Sequence, residues 1–172
     1  MQVVCYAAGD WGVGELWIDG DAPVWHELPT RARARSPEGG AGPPAITLAE
    51  PGARNWGDSV PEVARLLALY FAGERVAFDA VRLDLEWCTR FQRAVTDVLR
   101  SVPYGETVTY GELAALAGYP NAQRAAGSFC AQNRLPLLVP CHRVLAAGGL
   151  GSYGSLGIDY KRRLLEHEHA VF

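Results

Sequence analysis

A cysteine and a histidine stand side by side at Cys141 and His142, directly after Pro140. An imidazole can draw off a thiol proton, and the thiolate is the reactive form of cysteine. The pair therefore indicates nucleophilic chemistry, although an isolated cysteine is more often a small core residue. Adjacent side chains diverge on a strand and on a helix, so a water or a helical turn must connect the two groups.

Such a pair also needs a carboxylate to orient the imidazole. Glu166 and Glu168 are available on an amphipathic helix predicted over 159–168. From these residues alone, two classes of protein stay open: a Cys-His-Glu hydrolase or acyltransferase, and a DNA-binding regulator with a structural cysteine.

Two short helices are predicted ahead of the cysteine. Thr109 is a good N-cap with Glu112 three residues later, which is a capping box for the first helix. Gly118-Tyr119-Pro120 ends that helix, and Asn121 is expected to cap a second helix over 122–131. The pair is a helix-turn-helix candidate, although helical hairpins of other kinds are common.

The second of these helices carries small side chains around one long cation, Arg124. Small residues would let another backbone approach closely, and the arginine would project into whatever lies opposite. The alternative is a packing face with a surface arginine. The small residues are Ala122, Ala125, Ala126 and Gly127.

The N-terminal half alternates apolar segments with turns, which predicts short strands over 3–7, 12–18 and 24–28. The chain is then rich in Pro, Gly and Arg over 29–55, which predicts an exposed loop or a partly ordered excursion, with a basic DNA-touching arm as a further alternative.

Further helices are predicted from apolar spacing over 60–71 and 87–102. The alternation over 78–85 predicts a strand or an extended linker.

Composition limits the kinds of partner. The 172 residues carry a net charge of −3, so DNA binding would need a local basic patch. The start of the chain lacks the pattern of a secretory signal, and no apolar run is long enough to cross a bilayer. We therefore expect an intracellular protein whose four cysteines are free thiols.

Several motifs in register give a more specific indication. Pro140-Cys141-His142-Arg143-Val144, with Asn133 and Pro136 before it, resembles the active-site signature of the O6-alkylguanine-DNA alkyltransferases. The segments 102–113 and 124–127 are also similar to that family in order and spacing, and the resemblance spans about 91–168.

The resemblance implies a DNA repair protein that flips O6-alkylguanine out of duplex DNA and takes the alkyl group irreversibly onto Cys141. It implies that His142 takes the thiol proton through a water and that Glu168, not Glu166, polarises the imidazole. Asn133 would brace the active-site turn, and Tyr110 would donate to the departing guanine. The transfer itself would require no cofactor and no metal. Some relatives bind zinc in the N-terminal domain, but Cys5, His26 and Cys88 make no convincing zinc set.

The resemblance also implies minor-groove binding by the helix-turn-helix, with Arg124 filling the gap left by the flipped nucleotide and no strong sequence preference. The expected DNA-binding residues are Tyr110, Gly111, Tyr119, Ala122, Gln123, Arg124 and Ala125. The expected walls of the base pocket are Pro136, Val144, Tyr153, Gly154 and Ser155.

The implied fold class is α/β, with a ribonuclease-H-like N-terminal domain over 1–85 that includes the loop at about 29–57. A mainly helical domain with a winged-helix-like helix-turn-helix would follow over 86–172. We expect a cytoplasmic monomer, associated with the nucleoid if bacterial.

Two departures from the family pattern bear on function. The sequence Gly154-Ser155-Leu156-Gly157 replaces the usual small residue and paired glycines, which leaves the preferred alkyl size open. Arg134 follows Asn133 where proline is usual, and it would either add a phosphate contact or loosen the turn. The nearest rival is an alkyltransferase-like protein that only flags the lesion, but such relatives have tryptophan or alanine in place of Cys141.

Overall fold

A computed structural model describes residues 1–31 and 61–172, and the backbone of residues 46–47. The chain divides into two compact units, Met1–Asp84 and Leu85–Phe172. Strands and helices occur in both halves of a mixed α/β chain. The ribonuclease-H-like and winged-helix-like descriptions stay predictions.

The first unit is a four-stranded sheet with one described α-helix and a short 3₁₀ turn at Gly9–Trp11. Its strands are β1 (Gln2–Ala7), β2 (Val13–Asp19), β3 (Ala22–Thr30) and β4 (Ile46–Thr47), and the helix is α1 (Glu62–Phe71). The strand order is β3-β2-β1-β4, with antiparallel β1–β2 and β2–β3 pairs and a parallel β1–β4 pair.

Alternation along β1 buries one face of the sheet, with Val4 and Tyr6 fully buried. Leu67 and Tyr70 of α1 are fully buried as well. The three predicted strands are confirmed, with each bound within two residues of the prediction. The predicted loop is wrong at its start, because β3 runs on through Thr30, and again at Ile46–Thr47, which form β4; most of the rest lies outside the described residues.

The second unit is mainly helical. Its elements are α2 (Arg90–Ser101), β5 (Val108–Thr109), α3 (Tyr110–Leu116), α4 (Gln123–Ala131), β6 (Val144–Leu145) and α5 (Gly157–His167). Strands β5 and β6 form a short parallel pair. Residues 78–85, which span the boundary at Asp84 in the sequence, contain neither helix nor strand. Of the two predicted alternatives the strand is wrong, and the extended linker stays a prediction.

Local side-chain caps explain where two of these helices begin. The Thr109 hydroxyl accepts from the Glu112 backbone N–H at 3.2 Å, and the Glu112 carboxylate accepts from the Thr109 N–H at 2.7 Å, so the predicted capping box is confirmed. Thr89 and Gln92 form a second box at α2, which moves its start from the predicted 87 to Arg90.

The predicted cap at Asn121 is wrong. The N-cap of α4 is Ala122, which makes no side-chain cap bond, and Asn121 has a left-handed φ of 71°. Asparagine tolerates this conformation better than most residues, so Asn121 turns the chain between α3 and α4 instead of capping a helix.

None of the helices in the described residues is long and apolar enough to cross a membrane. Within those same residues, no group of three or more His, Cys, Asp or Glu side chains is placed to hold a metal ion.

Candidate active site

Cys141 opens a single 3₁₀ turn, Cys141–Arg143, at the end of a buried apolar segment. The side chain of Asn133 holds this segment in place. Its amide donates to the Val139 carbonyl at 2.7 Å and to Cys141 Sγ at 3.1 Å, and its oxygen accepts from the Leu135 N–H at 3.0 Å. Asn133 therefore braces the turn and also supplies a hydrogen-bond donor to the sulfur.

His142 points away from solvent into a buried pair with Glu168. Nε2 of His142 lies 2.8 Å from Oε1 of Glu168, and both side chains have no exposed surface. Nδ1 of His142 is buried and has no hydrogen-bond partner within the described part of the chain. An unpartnered buried nitrogen costs free energy, so this position is one where a water or reacting proton would be stabilised.

Arg143 clamps the same carboxylate from the other side. Its Nε and Nη2 donate to the two oxygens of Glu168 at 2.9 Å each, and its Nη1 donates to the Val102 carbonyl at 2.6 Å. This bidentate geometry fixes the plane of the carboxylate. The sequence predicts a role for Glu168 but none for Arg143.

The turn before β5 completes the surroundings of Glu168. The Gly105 N–H donates to Oε2 of Glu168 at 3.1 Å, and a Cβ on Gly105 would lie 2.8 Å from the backbone oxygen of Glu168. Gly105 also has a φ of +81°. Both the close approach and the left-handed backbone favour glycine here.

Burial shifts the pKa values of Cys141 and His142 in opposite directions. Burial raises the pKa of the Cys141 thiol, while the Asn133 amide, the Tyr153 hydroxyl and the Lys161 charge act in the opposite direction. Burial lowers the pKa of His142 despite the neighbouring carboxylate. The resting site thus holds a protonated thiol beside a neutral imidazole, which is able to accept a proton.

The pKa of Glu168 behaves differently. Burial alone would raise it, but hydrogen bonds and charge from His142 and Arg143 hold it well below its usual range. Glu168 is therefore a carboxylate at neutral pH and can stabilise a positive imidazole.

A small, partly open cavity of about 30 Å³ leads to Cys141. Its lining comes from α3, α4, the 3₁₀ turn and the segment before α5: Tyr110, Gly127, Cys130, Ala131, Cys141, Ser152, Tyr153 and Gly154. Of the five expected pocket walls, Tyr153 and Gly154 line this cavity, whereas Pro136, Val144 and Ser155 do not.

Two lining groups stay protonated in this environment. Burial, with the nearby Cys130 and Cys141, raises the pKa of Tyr110 to about 12. Burial likewise raises the pKa of Cys130 far above its usual range. Tyr110 is therefore a hydroxyl donor at neutral pH, and Cys130 is a poor nucleophile.

Lys161 is a residue that sequence analysis missed. It is fully buried, and its Nζ donates to the carbonyls of Val144 and Leu150 at 2.5 and 2.6 Å. It lies 5.9 Å from the centre of the Tyr110 ring. Lys161 is the only lysine of the sequence, and this could have drawn attention to it. Only the fold shows that its hydrogen bonds join α5 to the segment that follows Cys141.

Helices α3 and α4, with the turn between them, present most of the expected DNA-binding residues to solvent. Gly111, Tyr119, Gln123, Arg124 and Ala125 are exposed, while Ala122 and Tyr110 are half-buried. The buried face of α4 holds Ala126 and Phe129 instead.

Comparison with known proteins gives this arrangement a family. The family model "6-O-methylguanine DNA methyltransferase, DNA binding domain" matches residues 90–170. A Methanosarcina acetivorans methylated-DNA–protein-cysteine methyltransferase is 48% identical over 108 residues, 62% of this chain and 67% of that protein. The Mycobacterium tuberculosis protein of the same name is 50% identical over 103 residues, 59% of this chain and 61% of that protein.

The matched segments thus span about two thirds or less of these relatives. Structural similarity extends further. The crystal structure of Mycobacterium tuberculosis O6-methylguanine methyltransferase matches with a TM-score of 0.71 and 33% identity, covering 98% of this chain and 93% of that one. The structure of Mycobacterium tuberculosis OGT in complex with DNA matches with a TM-score of 0.70, at the same identity and coverage. This chain belongs to the methylated-DNA–protein-cysteine methyltransferase family.

Proposed function

We propose that this protein repairs DNA by transferring an alkyl group from O6 of guanine to the sulfur of Cys141. The Sγ–carbon bond forms as the carbon–O6 bond breaks, and the electron pair of that bond leaves with guanine. The thiol proton goes to His142, and the departing guanine anion takes up one proton in exchange, so that the net proton transfer is from the thiol to the restored guanine. One observation carries the proposal: Cys141 lies at a cavity with the Asn133 amide 3.1 Å from its sulfur, next in the chain to a buried His142–Glu168 pair.

His142 acts as the base, through a water that bridges its free Nδ1 to the thiol. The imidazole becomes positive when it takes the proton, and the Glu168 carboxylate stabilises that charge at 2.8 Å. Arg143 keeps the carboxylate ionised and correctly oriented. Asn133 and Tyr153 stabilise the thiolate, and Tyr110 donates to the leaving guanine.

The transfer is single-turnover because a thioether is a poor leaving group and nothing in the reaction regenerates the thiol. Each molecule acts as a monomer and repairs one lesion. The preferred alkyl size follows from the walls that Tyr153 and Gly154 provide.

DNA enters along the exposed face of α3 and α4. A damaged base must leave the stack before a thiolate can reach it, which costs a few kcal/mol. Arg124, exposed near the start of α4, offsets part of that cost by filling the gap in the duplex. Small side chains at Ala122 and Ala125 allow the helix into the minor groove, so binding depends little on sequence. The DNA complex of the Mycobacterium tuberculosis relative supports DNA as the partner.

The experiment counts methyl groups transferred from a labelled O6-methylguanine duplex in tenfold excess over protein. We expect the count to saturate at one per protein, and Cys141→Ala to transfer none while still binding the duplex. Continued turnover would indicate a hydrolase, and binding without transfer by the unmodified protein would indicate a lesion-flagging protein.

The role of Arg124 has its own test. Arg124→Ala is expected to slow repair in duplex DNA more than reaction with free O6-benzylguanine, because only the duplex has a gap to fill. Ser128→Ala, at another exposed position of α4 outside the expected DNA-binding residues, serves as the matched control for general disturbance of α4. Equal slowing on both substrates by Arg124→Ala would contradict the wedge role.

A further inference from the structure

The guanidinium of Arg134 rests on an aromatic platform at the end of α4. Its central carbon lies 4.5 Å from the centre of the Trp87 ring. Trp87 in turn stacks on Phe129, with 6.5 Å between ring centres and a 30° angle between planes. Phe129 is only 4% exposed and is anchored in the core, whereas Arg134 is exposed. The platform therefore fixes one face of the guanidinium and leaves its N–H edges toward solvent.

The backbone that carries Arg134 is also fixed. Asn133 Oδ1 accepts from the Leu135 N–H, so Arg134 sits inside a turn closed by its two neighbours. The turn keeps this hydrogen bond although Arg134 stands where the family usually has proline. The amide of that same Asn133 contacts the sulfur of Cys141, which places Arg134 one residue from a group that touches the nucleophile.

Arg134 also lies close in sequence to two residues that line the cavity. Cys130 and Ala131, in the last turn of α4, line the cavity, and Arg134 follows three residues after the helix ends. Arg124 lies at the opposite end of the same helix. A nine-residue helix is about 14 Å long, so Arg124 and the turn that carries Arg134 lie at opposite ends of a helix that lines the cavity.

We propose that Arg134, held by Trp87, binds a backbone phosphate of the DNA strand whose damaged nucleotide enters the cavity. The inference rests on the proposed function, since it deepens the account of how that site holds DNA. A planar guanidinium suits a phosphate, and stacking has already ordered the side chain, so less conformational entropy is lost on binding. A chain with a net charge of −3 needs such local cations to bind DNA at all.

A phosphate contact positions the duplex without reading its sequence. Arg134 and the Asn133 amide belong to one turn, and that amide contacts Cys141 Sγ. A phosphate bound to Arg134 therefore also fixes the distance between the flipped nucleotide and this sulfur. Arg134 is therefore a positioning residue in the full reaction, in addition to its direct contact with DNA.

The test measures the salt dependence of binding to an unmodified 20-base-pair duplex by the full chain. Loss of one phosphate contact lowers the slope of log K against log[salt] by about 0.9. We expect Arg134→Gln to show this loss, so that wild type loses about 3.5-fold more affinity than the variant between 50 and 200 mM salt. Arg134→Lys keeps the charge, and we expect it to retain the wild-type slope with weaker affinity.

Arg162→Gln is the matched control, because it removes an exposed arginine of α5 that pairs with Asp159 at 3.1 Å. Its slope should equal that of wild type. An unchanged slope in Arg134→Gln, an equal drop in Arg162→Gln, or a drop in Arg134→Lys would each overturn the proposal. Methyl transfer by wild type is scored separately, so failure of the phosphate contact and failure of the repair function are distinguishable.

Discussion

Two histidines are buried in this protein, one in each unit, and they have different partners. His26 of β3 is 3% exposed, and its Nε2 lies 2.6 Å from the hydroxyl of Tyr6. His142 is fully buried, its Nε2 lies 2.8 Å from a carboxylate, and its Nδ1 is unpartnered within the described residues. A phenol stabilises a neutral ring in place, whereas a carboxylate stabilises the ring when it accepts a proton. Burial alone therefore does not make a histidine a base.

The surroundings of the two histidines differ in the same way. The rings of Tyr6 and Phe71 lie 6.1 Å apart in a stacked arrangement beside His26. Among the described residues, the buried charged side chains all lie in the second unit, at Arg143, Lys161 and Glu168. The first unit has aromatic side chains around its buried histidine, whereas the second unit has buried charged side chains near the thiol of Cys141.

The largest expected effect separates the two histidines by activity. His142→Ala should lower the rate constant of methyl transfer by about 10²- to 10⁴-fold, the usual contribution of a general base. His26→Ala is the matched control and should keep the rate constant of the folded protein within about twofold. Rapid-quench single-turnover kinetics on an O6-methylguanine duplex measure both. Similar decreases of the rate constant in the two variants would contradict the assignment of His142, and not His26, as the base.

A second prediction concerns stability. Glu168→Gln leaves Arg143 buried opposite a neutral amide, which should lower the free energy of unfolding by about 3–5 kcal/mol. Glu166→Gln changes an exposed carboxylate two residues earlier and should stay within about 0.5 kcal/mol of wild type. Urea denaturation provides the comparison. If the two variants lost equal stability, Glu168 would not be clamped as described.

Acid should destabilise the second unit through both members of its buried pair. The pKa of His142 is lowered from 6.5 on folding, and that of Glu168 from 4.5. Below each unfolded value the unfolded chain binds more protons than the folded chain, so the free energy of unfolding falls as pH drops through 6.5 and again below 4.5.

Urea denaturation at a series of pH values from 8 to 4 measures this dependence. We expect His142→Asn to lose the part that begins near pH 6.5, the usual histidine pKa, while His26→Asn retains it. A wild-type curve that stays flat from pH 8 to 4, or an unchanged curve in His142→Asn, would contradict the assignment.

The smallest effect belongs to the first unit. Tyr6→Phe leaves His26 without its hydroxyl partner and should lower the free energy of unfolding by about 1–3 kcal/mol, with methyl transfer unchanged. Thermal or urea unfolding, followed by a single-turnover assay on the folded variant, checks both parts. A transfer rate reduced tenfold or more would mean that this pair affects the chemistry.

Local signals in the sequence predicted the local structure well. Thr109 and Glu112 predicted a capping box that the fold contains, because the two partners are three residues apart. Asn121 misled for a related reason. Its residue type is typical of both a helix cap and a left-handed turn, and the short connection between α3 and α4 takes the turn.

The site itself depends on contacts that sequence spacing does not reveal. Glu168 was identified through family resemblance, yet its two further partners, Arg143 and Gly105, lie 25 and 63 residues away. Lys161 was missed because a lysine on an amphipathic helix is usually solvated, and only the packing of α5 shows it buried on carbonyls. No local pattern encodes such long-range bonds.

The most direct test is to determine which cysteine carries the methyl group. Cys130 and Cys141 line the same cavity, but the Asn133 amide contacts only Cys141 among these two sulfurs in the bonds described above. After incubation with excess O6-methylguanine duplex, intact mass spectrometry should show a gain of one methylene per chain, and peptide mapping should place it on Cys141. A methyl group on Cys130, more than one per chain, or no mass change with repaired DNA would contradict the account.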